Sequence, residues 1–214
     1  NKLGELVFAS RNHDRDALYF LNLKTGEFER TKKFDSLISV VSPSISPDGS
    51  KVAFAGAKKD GRFDLYIYDV GRDHLERITQ DFYNDRNPSF YPDGSKLVFV
   101  SDRGAYGEEG YTNIFELDLE TKAITQITFG KHKDLSPNYS SDGKWLLFSS
   151  DRGGRTNIHA IDSAGSMYKI GNTLTGCFDP RFSPNDSLIV FSAFQEYGFQ
   201  IYTMPFEHSL MQPY

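Results

Sequence analysis

Residues 43–55 decide the fold: Pro43-Ser44-Ile45-Ser46-Pro47-Asp48-Gly49-Ser50-Lys51-Val52-Ala53-Phe54-Ala55. They read as a strand, a tight turn and a second strand. Pro47 presets φ at the second turn position, Asp48 tolerates the third, and Gly49 takes the positive φ that follows. Such a turn closes a β-hairpin with a one-residue bulge. The phrase returns as Pro88-Ser89-Phe90-Tyr91-Pro92-Asp93-Gly94, as Pro137-Asn138-Tyr139-Ser140-Ser141-Asp142-Gly143 and as Pro180-Arg181-Phe182-Ser183-Pro184-Asn185-Asp186.

The leading prolines stand at 43, 88, 137 and 180, so the intervals are 45, 49 and 43 residues. Eleven residues after each proline comes a phenylalanine: Phe54, Phe99, Phe148 and Phe191. A fixed offset inside a variable period describes a rigid hairpin joined to its neighbours by loops of changing length. Working outward, each repeat resolves into four strands. Repeat two has Ser44–Ser46, Lys51–Ala55, Asp64–Tyr68 and Leu75–Thr79. Repeats three and four follow it. The third strands carry a column of ring-bearing residues: Tyr19, Tyr66, Phe115, His159 and Tyr202.

Second strands such as Leu97-Val98-Phe99-Val100 are apolar on successive residues, which calls for cover on both faces. Fourth strands are the most polar and suit an edge in water. Four-stranded sheets of 40–50 residues packed face to face about an axis satisfy both demands. The expected fold is therefore an all-β β-propeller with five recognisable four-stranded repeats, at about 1–35, 36–81, 82–130, 131–172 and 173–214, in a single domain spanning 1–214. The first repeat lacks its first strand and the last lacks its fourth. The two remnants cannot merge, because each already holds strands two and three. The chain is expected to be a segment of a larger propeller; an irregular five-bladed ring closed by the tails is the alternative.

Composition narrows the function. The 214 residues carry a formal net charge of −5 with both signs spread along the chain, so no basic block favours nucleic acid or an anionic membrane. No apolar run approaches the roughly 20 residues of a membrane span. The 18 phenylalanines and 12 tyrosines favour β-structure. One cysteine, Cys177, rules out an intrachain disulfide and reads as a small buried filler. The start at Asn1, with neither methionine nor signal peptide, suggests a processed form or an excised piece.

Catalytic signals are few. No Gly-x-Ser-x-Gly elbow and no phosphate-cradling glycine loop occur. His13, His74, His132, His159 and His208 fall singly, without zinc-ligand spacing. His159 reads as a member of the third-strand column. The stretch His13-Asp14-Arg15-Asp16 offers too few oxygens for calcium. No cofactor or metal is expected.

The phrase Pro-x-aromatic-Ser-Pro-Asp-Gly-Ser-Lys-aliphatic-x-Phe, then Ser101-Asp102-Arg103-Gly104 and Asn113-Ile114-Phe115, resembles the PD40 or TolB-type propeller repeat. Ser150-Asp151-Arg152-Gly153-Gly154 and Asn157-Ile158 repeat the pattern. No Trp-Asp dipeptide closes the third strand, which separates it from the tryptophan-aspartate repeat. Repeat five departs with Asn185-Asp186, and repeat two has Gly56-Ala57-Lys58-Lys59 where Asp-Arg is expected.

The recurring Asp102-Arg103 and Asp151-Arg152 pairs read as structural: the carboxylate ties up loop amides and the arginine braces the next blade. The inter-blade loops differ from one another, and variable loops on a rigid frame suit recognition. The expected partner-binding residues are Asn84, Asp85, Arg86 and Asn87, then Lys131, His132, Lys133 and Asp134, then Asp179, with Glu108 and Glu109 in the long loop after Arg103. The resemblance implies a non-catalytic protein-binding scaffold of a bacterial cell-envelope assembly. It would be periplasmic or otherwise extracytoplasmic, and its partner an envelope lipoprotein or another component of a multi-protein complex. The alternative is an accessory or gating propeller of a larger enzyme, such as a serine peptidase or a lyase.

Overall fold

In a computed structural model, residues 4–171, 173–207 and 211–214 are described; His208 lies outside them. Among the described residues, nineteen strands form five antiparallel sheets, which are the blades of a β-propeller. Blade one holds β1 (Glu5–Asn12), β2 (Arg15–Asn22) and β3 (Phe28–Lys33). Blade two holds β4 (Ser39–Ile45), β5 (Lys51–Ala57), β6 (Phe63–Asp69) and β7 (His74–Arg77). Blade three holds β8 (Asp85–Phe90), β9 (Lys96–Ser101), β10 (Asn113–Asp118) and β11 (Ile124–Gln126). Blade four holds β12 (Asp134–Tyr139), β13 (Trp145–Ser150), β14 (Asn157–Asp162) and β15 (Met167–Lys169). Blade five holds β16 (Cys177–Phe182), β17 (Leu188–Gln195) and β18 (Gly198–Pro205).

The repeated hairpin turn forms as its residues dictate. Gly49 has φ +78° and its N–H donates to the Ser46 carbonyl at 2.9 Å. The Ser46 hydroxyl donates to Asp48 at 2.6 Å and accepts from the Lys51 amide at 2.9 Å. Gly94 and Gly143 repeat the conformation, and Asp186 adopts it without being glycine, at φ +55°. Asp186 also accepts from the Ser141 amide and hydroxyl of the blade before, which gives the departure in repeat five a second task.

The phenylalanine eleven residues after each proline pairs across the sheet with the third-strand column. Phe54 faces Tyr66, Phe99 faces Phe115, Phe148 faces His159 and Phe191 faces Tyr202; Phe8 faces Tyr19 in blade one. This ring pair meets the blade before it, while the neighbouring aliphatic of the third strand meets the blade after. Thus Leu18 packs with Phe54 and Tyr66, Leu65 with Phe99 and Phe115, and Ile114 with Phe148. Ile158 packs with Cys177 and Ile189 of blade five. Each such large side chain removed from water contributes roughly 1.5–3 kcal/mol.

Two features differ from the expectation. The inner strands of blades two to five start four or five residues earlier, at Ser39, Asp85, Asp134 and Cys177. The residue before each repeat proline is left-handed: Ser42 (φ +52°), Asn87 (+50°), Ser136 (+52°) and Asp179 (+52°). The strand register shifts at each of these points. That bulge breaks the two-residue alternation, so the sequence pattern shows only the half after the proline. The tail adds β19 (Gln212–Pro213) to β15 of blade four rather than completing blade five. The inner strands touch in the order β1, β4, β8, β12, β16, and among the described residues blade one has no extensive packing on blade five. No helix among the described residues is long and apolar enough to cross a membrane.

Candidate recognition face

The loops between second and third strands and those between blades emerge at one end of the propeller. The pairing of Ser101 with both Asp85 and Asn113 sets this geometry in blade three. Two ion pairs anchor the face. Arg103 Nη2 donates to both Asp85 oxygens at 2.8 and 2.7 Å, and Arg152 Nη2 to both Asp134 oxygens at 2.8 and 2.9 Å. Asp85 and Asp134 are fully buried. Burial pushes the Asp85 carboxyl up from its ordinary pKa, and the Arg103 guanidinium opposes that shift. Asp85 and Asp134 were expected among the exposed partner-binding residues; they are instead internal struts, because they begin inner strands. Each arginine braces its own blade, not the next one as expected, and Arg103 reaches Asp81 of the inter-blade loop at 3.1 Å.

Asp102 accepts from the Asn84 amide at 2.8 Å and its side-chain amide at 2.9 Å, and Asp151 accepts from the Lys133 amide at 2.7 Å. Both of Asn84's side-chain ends are thereby used, since its carbonyl also accepts from the Phe63 amide. Asn87 donates to the Ser42 hydroxyl of the blade before at 3.0 Å. These contacts fix the backbone of the loops and leave other side chains outward.

Glu108 and Glu109 lie on a single 3-10 turn, Gly107–Glu109, in the long loop. That loop is bound to the next inter-blade segment: the Thr112 amide donates to the His132 carbonyl at 3.1 Å, and Thr112 bridges Lys133. Lys131 pairs with Glu109 at 2.8 Å and lies 4.9 Å from the Tyr106 ring centre. The Glu109 partner raises the Lys131 pKa. Glu108, Glu109, Lys131, His132 and Lys133 therefore form one ridge between blades three and four. Arg86 is exposed, its guanidinium 3.9 Å above the Phe63 ring.

Asp179 stands apart from both groups. It is exposed toward the axis and accepts from the Ser136 hydroxyl at 2.5 Å. With Leu135, Ser136, Ser149, Phe178, Ser192 and Phe199 it lines a cavity of about 440 Å³. Arg181, two residues on, donates to the Ser136 carbonyl at 3.0 Å. Sequence reasoning missed the apolar part of the rim: Phe82, Tyr83, Tyr106, Phe129 and Leu174 are all exposed. They belong to no repeat, so the only signal was a large apolar side chain in an otherwise polar loop. Exposed rings beside Arg86, Lys131 and Lys133 can supply cation–π, hydrogen-bond and apolar contacts to another protein surface. Among the described residues no three side chains cluster as metal ligands.

Comparison with known proteins agrees with this frame. The PD40 family, described as the TolB beta propeller domain, matches residues 3–108 and 105–212. A "Tol-Pal system protein TolB" of Francisella tularensis subsp. mediasiatica is 33% identical over 156 residues, covering 71% of this chain and 34% of its own length. The crystal structure of TolB from Acinetobacter baumannii superposes with TM-score 0.79 at 23% identity, covering 98% of this chain and 52% of its own. A putative TolB from Agrobacterium tumefaciens gives TM-score 0.77 at 21% identity, with coverages of 98% and 79%. An oligogalacturonate lyase in complex with manganese shares the fold at TM-score 0.66 and 18% identity, with coverages of 99% and 62%. The chain spans about a third of the length of the Francisella relative.

Proposed function

The chain belongs to the TolB beta propeller (PD40) family, and from that premise we propose that it is a non-catalytic protein–protein interaction scaffold. Its setting is a bacterial cell-envelope assembly on the extracytoplasmic side, and its partner is an envelope lipoprotein or another protein component of that assembly. One observation carries this reading. The frame repeats one hairpin and one cross-strand ring pair from blade to blade, with matching Arg103–Asp85 and Arg152–Asp134 struts in blades three and four, whereas the loops it holds carry unrelated, exposed side chains at one end. Arg86 and Lys133 are the cationic contacts of that end, and Phe82, Tyr83 and Phe129 its apolar ones.

The test is binding of the purified chain to envelope proteins, with Arg86→Glu/Lys133→Glu as the matched variant. The scaffold reading expects a partner held by the parent chain and released by the double reversal. Equal retention by both argues against this face. The second reading, an accessory or gating propeller of a larger enzyme, draws on the fold shared with the lyase. It predicts metal by elemental analysis of the purified protein, or a hydrolase domain in the parent reading frame.

A further inference from the structure

One contact between blades departs from the repeat, and it borders a cleft. In each blade the third-strand residue after the ring column meets, in the next blade, the residue two past the repeat proline. Phe20 packs with Ile45, Ile67 with Phe90 and Ala160 with Phe182. Phe20, Ile67 and Ala160 are all buried. Between blades three and four the same two positions hold Glu116 and Tyr139. The Tyr139 hydroxyl donates to Glu116 Oε2 at 2.9 Å, and Lys96 Nζ donates to Glu116 Oε1 at 2.8 Å. Placing a carboxylate there costs desolvation that the apolar pairs avoid. The other blade contacts show that the fold does not need it, and such breaks in a local rule concentrate at functional or strained sites. The three side chains wall a cleft of about 370 Å³ at the hairpin-turn end, away from the recognition loops. Ile127, Leu146 and Ile161 give the cleft its apolar lining, and Lys144, Asp162 and Ser163 add polar groups. Tyr91 also lines it, beside Gly143, whose bare Cα leaves room for the Tyr91 hydroxyl. Blades three and four, which enclose the cleft, each hold a full set of four strands.

We propose that this cleft binds a neutral sugar, as a mono- or disaccharide. The charged side chains that line it balance, Lys96 and Lys144 against Glu116 and Asp162, so an ionic ligand of either sign meets as many like charges as opposite ones. Donors and acceptors lie side by side, as a run of hydroxyls requires, because each hydroxyl gives one proton and offers two lone pairs. Hydrogen bonds to the ammonium and the carboxylates are the stronger kind. Ile127, Leu146 and Ile161 take the C–H face of a pyranose ring. The volume lies within the range of small-molecule sites, about 300–1,000 Å³. The cleft is at the opposite end from Arg86 and Lys133, so the sugar site is independent of the protein-binding reading.

The experiment follows the methyl resonances of Ile127 and Ile161 by NMR while the protein is titrated with methyl glucoside, methyl galactoside or methyl mannoside. Each is taken to about 10 mM, enough to reveal a millimolar Kd. At least one sugar is expected to shift these signals to saturation. Glu116→Ile, which copies Ile67 and restores the apolar contact, is expected to unfold as cooperatively as the parent and to weaken binding roughly tenfold or more. Lys96→Met, at the half-exposed rim, is expected to weaken it severalfold and serves as the second variant. The absence of a saturable shift with all three sugars overturns the proposal. So does unchanged affinity in both variants, or equal shifts from sodium acetate or methylammonium chloride, which would mark a simple charge site.

Discussion

The Arg103 guanidinium holds both oxygens of Asp85 in a pair whose carboxylate is wholly shielded from water. The same pair recurs as Arg152 with Asp134, one repeat later. Rings flank both cations: Phe99, Phe115 and Tyr83 surround Arg103, and Phe148 and Tyr214 surround Arg152. A guanidinium suits this place because it is planar and weakly hydrated.

Removing one partner leaves the other charge buried. Asp85→Ala is therefore expected to cost roughly 3–5 kcal/mol of stability, read as a fall in the urea midpoint. The double variant Asp85→Leu/Arg103→Met removes both charges at similar volume and is expected to recover most of that loss. If the double variant is as unstable as the single one, the pair is not the strut described above.

His159 gives the fold an acid weakness. It fills the ring column between Phe148 and Tyr214, it is fully buried, and its Nδ1 lies 3.2 Å from the Asn157 carbonyl. Its Nε2 has no hydrogen-bond partner among the described residues. Burial, helped by the Arg152 charge, lowers its pKa from 6.5 to about 4. The unfolded chain then binds a proton that the folded chain refuses. Stability is full above pH 6.5 and falls as pH drops through 6.5 toward 4, by roughly 3 kcal/mol. His159→Phe, which copies Phe115 of blade three, is expected to flatten urea midpoints measured across that window. Asp48, held down to about 2 by Ser46 and Ser50, loses its contribution only as pH falls below about 4 toward 2, so the two effects separate.

Two glycines share a left-handed backbone and differ in their surroundings. Gly26 has φ +73° and nothing within 4 Å of where a Cβ would stand. Gly143 has φ +71°, and a Cβ there would collide with the Tyr91 hydroxyl. The Tyr91 ring is itself packed edge-on against Tyr139, with centres 4.9 Å apart. Gly26→Ala is expected to cost about 1–2 kcal/mol, from backbone strain alone. Gly143→Ala is expected to cost about 1–3 kcal/mol more, from overpacking. Chemical denaturation of both variants checks this, and Tyr91→Ala as a background should erase the difference.

The repeats were legible because the turn chemistry and the Phe54-type offset recur in repeats two to five, with one departure at Asn185-Asp186. What failed was the inner strand. Ser42, Asn87, Ser136 and Asp179 are left-handed, a state that a residue's name does not announce, and it hides the strand half before each proline. For that reason the sequence pattern places Asp85 and Asp134 in loops, although both are buried at the start of inner strands. The rim was legible only as charge: Arg86 and Lys133 stood out, whereas Phe82 and Phe129 carry no repeat signal that separates an exposed ring from a core one.

Asp186 shows how a departure from the repeat can carry its own interaction. It stands where Gly49, Gly94 and Gly143 stand, and its N–H closes the same turn onto the Ser183 carbonyl at 2.9 Å. A glycine there would relieve left-handed strain of about 1 kcal/mol, less for aspartate than for most residues. It would also remove a carboxylate that accepts from the Ser141 amide at 2.9 Å and from its hydroxyl at 2.5 Å, tying blade five to blade four. Hydrogen bonds to a charged acceptor contribute about 1.5–3 kcal/mol, and exposure to water reduces that here. Asp186→Gly is accordingly expected to lower stability by about 1 kcal/mol, although it restores the repeat. Asp186→Asn, which keeps the conformation and weakens the acceptor, should fall between. A thermal unfolding series checks the order. If Asp186→Gly proves more stable than the parent, the inter-blade tie contributes less than the strain it imposes.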